Sequence, residues 1–128
     1  MATDDAAVKH LYLAGPYTSA DPVVNTHGVI QVATILFERG LYVPHLPHLT
    51  LFWHMVTPRG IEFWYELDRH YLSRCDAFCR LPGESTGADN EQDEASRLGL
   101  EWVPFMSLPP AAVAAWRDRD VFHADPVG

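Results

Sequence analysis

Short apolar runs that stop at glycine or proline alternate along this chain with segments of helical period, and few folds accommodate that alternation. Val8 to Ala14 (VKHLYLA) is a compact run ending at Gly15-Pro16, the pattern of a buried strand that feeds a turn. From Asn25, a residue type favoured at helix N-caps, to Arg39, the apolar residues Val29, Val32, Ala33 and Leu36 recur at helical spacing, and Gly40 supplies the stop. Leu41 to Val43 before Pro44 predicts a short second strand. The histidine-rich, aromatic stretch His45 to Arg59 then predicts an irregular segment, long enough in a small chain to invite a functional reading. Ile61 to Ser73 has helical period and Ala77 to Leu81 reads as a third strand. Ala88 to Leu98 reads as a helix ended by Gly99, Trp102 to Phe105 as a fourth strand and Pro110 to Arg117 as a last helix. Strands alternating with helices imply βαβ units, hence one α/β domain with a parallel sheet of four to five strands and helices on both faces. Residues 1–7 and 120–128 are expected to be loose termini.

The 128 residues suffice for one domain with a real core and are too few for two. Nine Lys and Arg against seventeen Asp and Glu give a net charge of −8, which argues against a nucleic acid polymer as partner, because phosphate neutralisation needs clustered cations. No apolar run approaches the roughly 18 residues of a membrane span, and MATDDAAVKH is acidic where a signal peptide is basic, so the protein is expected to be soluble and cytoplasmic with no membrane partner. Two cysteines, Cys75 and Cys79, are too few for a disulfide framework, and Cys79, inside a strand, is expected to be buried and inert. The chemistry, if any, is therefore directed at something small.

In open parallel sheets the ligand crevice lies beyond the carboxyl ends of the strands, which directs attention to residues 15–24, 45–60 and 82–88. Two carboxylates near these loops are out of place. Asp68 shares a helix face with Ile61, Trp64, Tyr71 and Leu72, so it either finds a cation such as Arg69 or Arg74 or serves a function. Glu91 sits on the stripe set by Ala88, Ala95 and Leu98, whereas Asp89, Asp93 and Glu94 are explained by the helix dipole and by water. Thr86 and Asp89 have capping-box spacing, with Thr86 the expected cap, and Gly87 permits close approach of the backbone. Ser85 and Thr86 before a helix also suit an anion. Tyr12 interrupts the first strand and needs a partner for its hydroxyl, by default a carbonyl. His45, His48 and His54 raise the thought of a metal, but H-x2-H-x5-H fits neither a helical face nor a zinc ribbon, so no metal is assigned. Hydrogen bonding by His45 or stacking by Trp53 on a planar ligand is the better use of HLPHLTLFWH, with a loop core as the plain alternative.

YLAGPY after the first strand, D-x7-D across Asp68 and Asp76, and S-x-G-x3-E-x3-A across Ser85, Gly87, Glu91 and Ala95 resemble the nucleoside 2-deoxyribosyltransferase superfamily over Leu11 to Phe105. That superfamily includes the deoxynucleoside 5'-monophosphate N-hydrolases and the CMP N-glycosidases. The resemblance implies a flavodoxin-like, Rossmann-like α/β domain that cleaves the N-glycosidic bond between a sugar C1' and a base, with Glu91, Asp68 and Tyr12 as the catalytic group. It implies substrate contacts from Gly15, Pro16, Tyr17, Ser85, Gly87, His45 and Trp53, no cofactor, and assembly as a homodimer or larger. Ser85, where the transferases carry an aspartate, implies a nucleoside 5'-monophosphate hydrolase. The alternatives are a deoxyribosyltransferase or hydrolase acting on the free nucleoside, and a nucleotide-binding module without turnover. GPYTSADP departs from the phosphate-using relatives, because it offers Thr18 and Ser19 but no cation, and the acids clustered at 84–94 make the local field unfavourable to phosphate.

Overall fold

A computed structural model describes residues 8–124 of the chain, with side chains as far as Val121. Strands β1 (His10–Ala14), β2 (Val43–His45), β3 (Ala77–Arg80) and β4 (Glu101–Trp102) form one all-parallel sheet in the order β2-β1-β3-β4. Tyr12 stands opposite His45 on one side and Phe78 on the other. Successive residues of a strand point to opposite faces, and the two faces of this sheet are packed differently. Leu11, Leu13, Ala77 and Cys79 meet Val29, Val32 and Leu36 of α1 (Pro22–Glu38) and Ala112, Val113 and Trp116 of α5 (Pro110–Arg117). Tyr12, Ala14 and Phe78 meet Leu72 of α3 (Ile61–Leu72) and Ala88 and Ala95 of α4 (Thr86–Leu98). The fold class read from the sequence, with four strands and helices on both faces, is the one observed.

Several boundaries differ from expectation. Helix α1 begins at Pro22, not at Asn25: Asp21 Oδ1 accepts from the amides of Val23 and Val24, and proline is pre-set for the first helical position. At its far end the Leu41 amide bonds back to Leu36 O around Gly40 at φ +69°, so Leu41 belongs to the helix cap and β2 starts two residues late. Pro44 is tolerated within β2 because that strand is an edge. Residues 45–59 are irregular only at Leu46 and over 57–59. A 3-10 turn at Pro47–Leu49 leads into helix α2 (Thr50–Val56), whose apolar residues show no stripe because none of them is buried. Pro104 ends β4 early, and Phe105–Ser107 form a 3-10 turn.

The expected loose tail is replaced as far as residue 124 by helix α6 (Arg119–Ala124). The Arg119 guanidinium lies 3.8 Å from the centroid of Trp116, and its Nε donates to Asn25 Oδ1. Gly28 makes room for this arrangement, since a Cβ there would sit 2.6 Å from Arg119 Cδ. Residues 1–7 and 125–128 lie outside the described part. Among the described residues no helix is long and apolar enough to cross a membrane.

Candidate functional site

Beyond the carboxyl ends of β1, β2 and β3 lies a cavity of about 600 Å³, a volume suited to a ligand of nucleotide size. The loop after β1 supplies Gly15, Tyr17, Thr18 and Ser19 to its wall. Gly15 is required there because a Cβ would come within 3.0 Å of Leu81 Cβ. Asn25, fully buried, holds the loop's shape by donating through Nδ2 to the carbonyls of Tyr17 and Ser19 at 3.0 and 2.8 Å. That is the reason for its presence, rather than the N-cap expected of it.

Helices α3 and α4 set the two carboxyls. Ala88 and Ala95 are small enough to bring α4 against the sheet, and Glu91, one turn from each, is carried under the cavity. Leu98, expected on the same stripe, is 41% exposed, so the inward face ends at Ala95. Asp68 is buried on α3, one turn after Trp64, and no cation pairs with it among the described residues. Its neighbour is Glu91. Tyr12 rises from β1 with its ring stacked on Phe78 and donates its hydroxyl to Glu91 Oε2 at 2.5 Å. The partner of that hydroxyl is thus a carboxylate, not the carbonyl taken as the default.

These three groups meet where the cavity wall passes into the core. Burial raises the Asp68 carboxyl far above the usual carboxylate range, and the charge of Glu91 and a hydrogen bond to it push in the same direction. Burial also raises Glu91, opposed by the hydrogen bonds from Tyr12 and Asp68 and by the charge of Arg80. Tyr12 is raised well above its ordinary value, first by burial and then by the charges of Glu91 and Asp68. A buried carboxyl (Asp68) and a half-buried one (Glu91) side by side cannot both ionise cheaply, so around neutral pH the pair retains a proton. The arrangement offers a carboxylate fixed in one rotamer beside a carboxylic acid able to give up a proton, the combination that glycoside chemistry uses.

Of the substrate contacts expected from the sequence, Gly15, Tyr17, Ser85 and Gly87 lie on the cavity wall. Ser85, not Thr86, is the N-cap of α4, its Oγ accepting from the Ala88 amide at 3.1 Å. Pro16, His45 and Trp53 are not on the wall. Pro16 contributes through its carbonyl, which receives His48 Nε2–H at 2.8 Å. His45 closes β2 and lies 2.7 Å from His10 Nδ1, while Trp53 packs edge-on to Phe63 and Trp64. His48 takes the place on the wall that was expected of His45, because β2 extends to His45 and the chain turns only after it. Burial holds the His48 ring down to about 4, hence neutral.

Sequence reasoning missed Arg59, Tyr65 and Glu84, all on the wall, and gave Trp64 no part in the site; His54, considered only within the histidine-rich stretch 45–54, is also on the wall. Trp64 was within reach of the helical spacing that singled out Asp68. Among the described residues no group of three or more His, Cys, Asp or Glu is placed to hold a metal ion. Cys75 and Cys79 are buried, and burial pushes each thiol up to about 12. Compared with known proteins, the chain matches no family model and no curated protein.

Proposed function

We propose that the protein is an N-glycosidase that cleaves the bond between base and sugar in a nucleoside 5'-monophosphate, releasing free base and sugar phosphate. The observation that carries this reading is the Tyr12–Glu91–Asp68 group, with Tyr12 and Asp68 buried and Glu91 half-buried, at the floor of a nucleotide-sized cavity. Cleavage develops positive charge at C1', and a fixed carboxylate beneath that atom stabilises it or bonds to it. In the proposed sequence the free oxygen of Glu91 forms a bond to C1' as the C1'–N bond breaks. The bonding pair leaves with the base nitrogen, which takes the proton held by Asp68. Water then attacks C1', gives its proton to the Asp68 carboxylate and restores Glu91. Tyr12 is a positioning residue that holds the Glu91 rotamer and lowers its basicity. The bond from Ser85 to its own helix leaves the serine proton free to meet a sugar oxygen.

The test is incubation with a panel of nucleoside 5'-monophosphates and nucleosides, with free base followed by chromatography. The expected result is base release that falls at least about a thousandfold in Glu91→Gln, a loss typical of removing a nucleophile. Release at the parent rate by that variant refutes the mechanism. Tight nucleotide binding without release identifies a binding module instead. Release that depends on an added acceptor base identifies a transferase.

A further inference from the structure

The corner of the cavity between α2 and α3 is chemically unlike the rest of its wall. His54 Nδ1 lies 3.0 Å from the indole Nε1 of Trp64 and 3.3 Å from the backbone nitrogen of Arg59. Both of those groups can only donate, so Nδ1 is the bare nitrogen and the ring proton resides on Nε2. No described residue accepts a hydrogen bond from Nε2, and His54 lines the cavity. Arg59 lines it too. Its guanidinium stands 5.6 Å from the centroid of Phe63, without a hydrogen bond or an ion pair among the described residues. The corner thus presents one fixed N–H and one uncommitted guanidinium, and these groups are all donors.

The rest of the wall is unsuited to an anion. It carries the carboxyls of Glu84, Asp68 and Glu91, and Arg80, whose charge acts on Glu91, is not on the wall and is committed to the carbonyls of Leu81 and Gly83 and to Asp89. Among the described residues Arg59 is the only Lys or Arg on the cavity wall. We infer that His54 and Arg59 bind the phosphate of the substrate at the α2–α3 corner, with Trp64 fixing the imidazole tautomer. The inference rests on the proposed nucleotide substrate and locates its charged end. Phosphate oxygens accept and carry charge, which matches a donor-only corner, and an arginine fork suits them geometrically. The cation that the first loop lacks is supplied from a different loop.

The probes are ribose 5-phosphate and ribose, titrated calorimetrically into the whole protein, together with a long-range proton–nitrogen spectrum of its imidazoles. The parent is expected to prefer ribose 5-phosphate by at least about tenfold, as loss of a charge-assisted contact implies. Arg59→Gln is expected to collapse that preference towards one, His54→Phe to reduce it, and the spectrum to show His54 protonated on Nε2 with Nδ1 bare. In turnover of a nucleoside 5'-monophosphate the Arg59→Gln loss is expected in KM more than in kcat. Equal binding of both probes by the parent, an unchanged preference in Arg59→Gln, or a proton on Nδ1 overturns the inference. Base release with an Arg59-independent KM refutes the corner and leaves the glycosidase standing. Arg59-dependent binding of ribose 5-phosphate without base release does the opposite.

Discussion

Replacing Asp68 by Asn interrogates the proton at the cavity floor through stability rather than turnover. In the native chain burial and the neighbouring Glu91 hold the Asp68 carboxyl far above its value in an unfolded chain, which is about 4. The native state therefore carries about one extra proton from pH ~4 up to the native titration of the pair. A raised carboxyl has the opposite sign to a salt-bridged one. Its stabilising contribution is complete below pH ~4 and is lost as pH rises through the native value, at about 1.4 kcal/mol per pH unit. Between pH ~4 and neutrality that amounts to about 4 kcal/mol, a sizeable part of a typical domain's stability. His48 works the other way. Burial lowers its ring from 6.5 to about 4, so it adds stability as pH rises between those values. Above pH ~6.5 the carboxyl pair acts without that opposition. Asp68→Asn removes the like charge beside Glu91 and leaves His48 intact, so the difference between the two proteins isolates the pair. Denaturant unfolding from pH 5 to 9, read by the fluorescence of buried Trp116, gives the curves. The parent should lose stability between pH 6.5 and 8 more steeply than the variant, in which only burial of Glu91 still holds a carboxyl up, and the variant should be the more stable by about 1–2 kcal/mol at pH 8. A parent that is flat or rising over that interval, or a variant with the parent's slope, refutes the shared proton.

Three further outcomes follow from particular contacts. Tyr12→Phe removes the hydroxyl 2.5 Å from Glu91 Oε2 and is expected to cost about 1.5–3 kcal/mol in unfolding free energy and to move the Glu91 titration further up, displacing any pH–rate profile to higher pH. Gly28→Ala places a Cβ against Arg119 and Trp116 and is expected to cost about 1–3 kcal/mol, part of which Arg119→Ala restores in the double variant; full additivity of the two losses contradicts the packing described. Cys75 and Cys79, with thiols pushed up to about 12, should resist iodoacetamide at pH 8 until the chain is unfolded, and rapid labelling of the native protein would contradict their burial.

The parts of this molecule legible in its sequence are those governed by period. Strand β1 and helices α3 and α4 announce themselves by spacing, and the same spacing exposes Asp68 and Glu91 as acids on inward faces, although Ile61 and Tyr71, expected on the face of Asp68, are exposed. Their meeting with Tyr12 follows from topology, because neighbouring strands carry the tyrosine and α4 to the same end of one sheet face. Helix α2 was hidden because a helix with apolar residues on every side has no period to detect, and here it packs too little to need one. The exchange of His45 for His48 hinged on where β2 stops. A two-residue shift is ordinary uncertainty for a strand but decides which imidazole faces the cavity. Arg59 carries no local signal at all: a surface-type residue beside Gly60 acquires its position only when α2 and α3 fold back around the site. The end of the chain is illegible for a similar reason, since the partners of Arg119 are Asn25 and Trp116, the first of them 94 residues away.

Asn25 reaches in two directions, gripping the carbonyls of Tyr17 and Ser19 with its amide nitrogen and receiving Arg119 on its oxygen. The lip of the cavity and the last helix therefore pivot on one pin. A tag or fusion that drags on α6 will be felt where ligand enters, and a chain cut after Asp118 will keep its sheet while its first loop slackens. The coupling also runs the other way: filling the cavity should slow amide exchange in α6, on the far side of the sheet from the acids, so the terminal helix can serve as a remote gauge of occupancy.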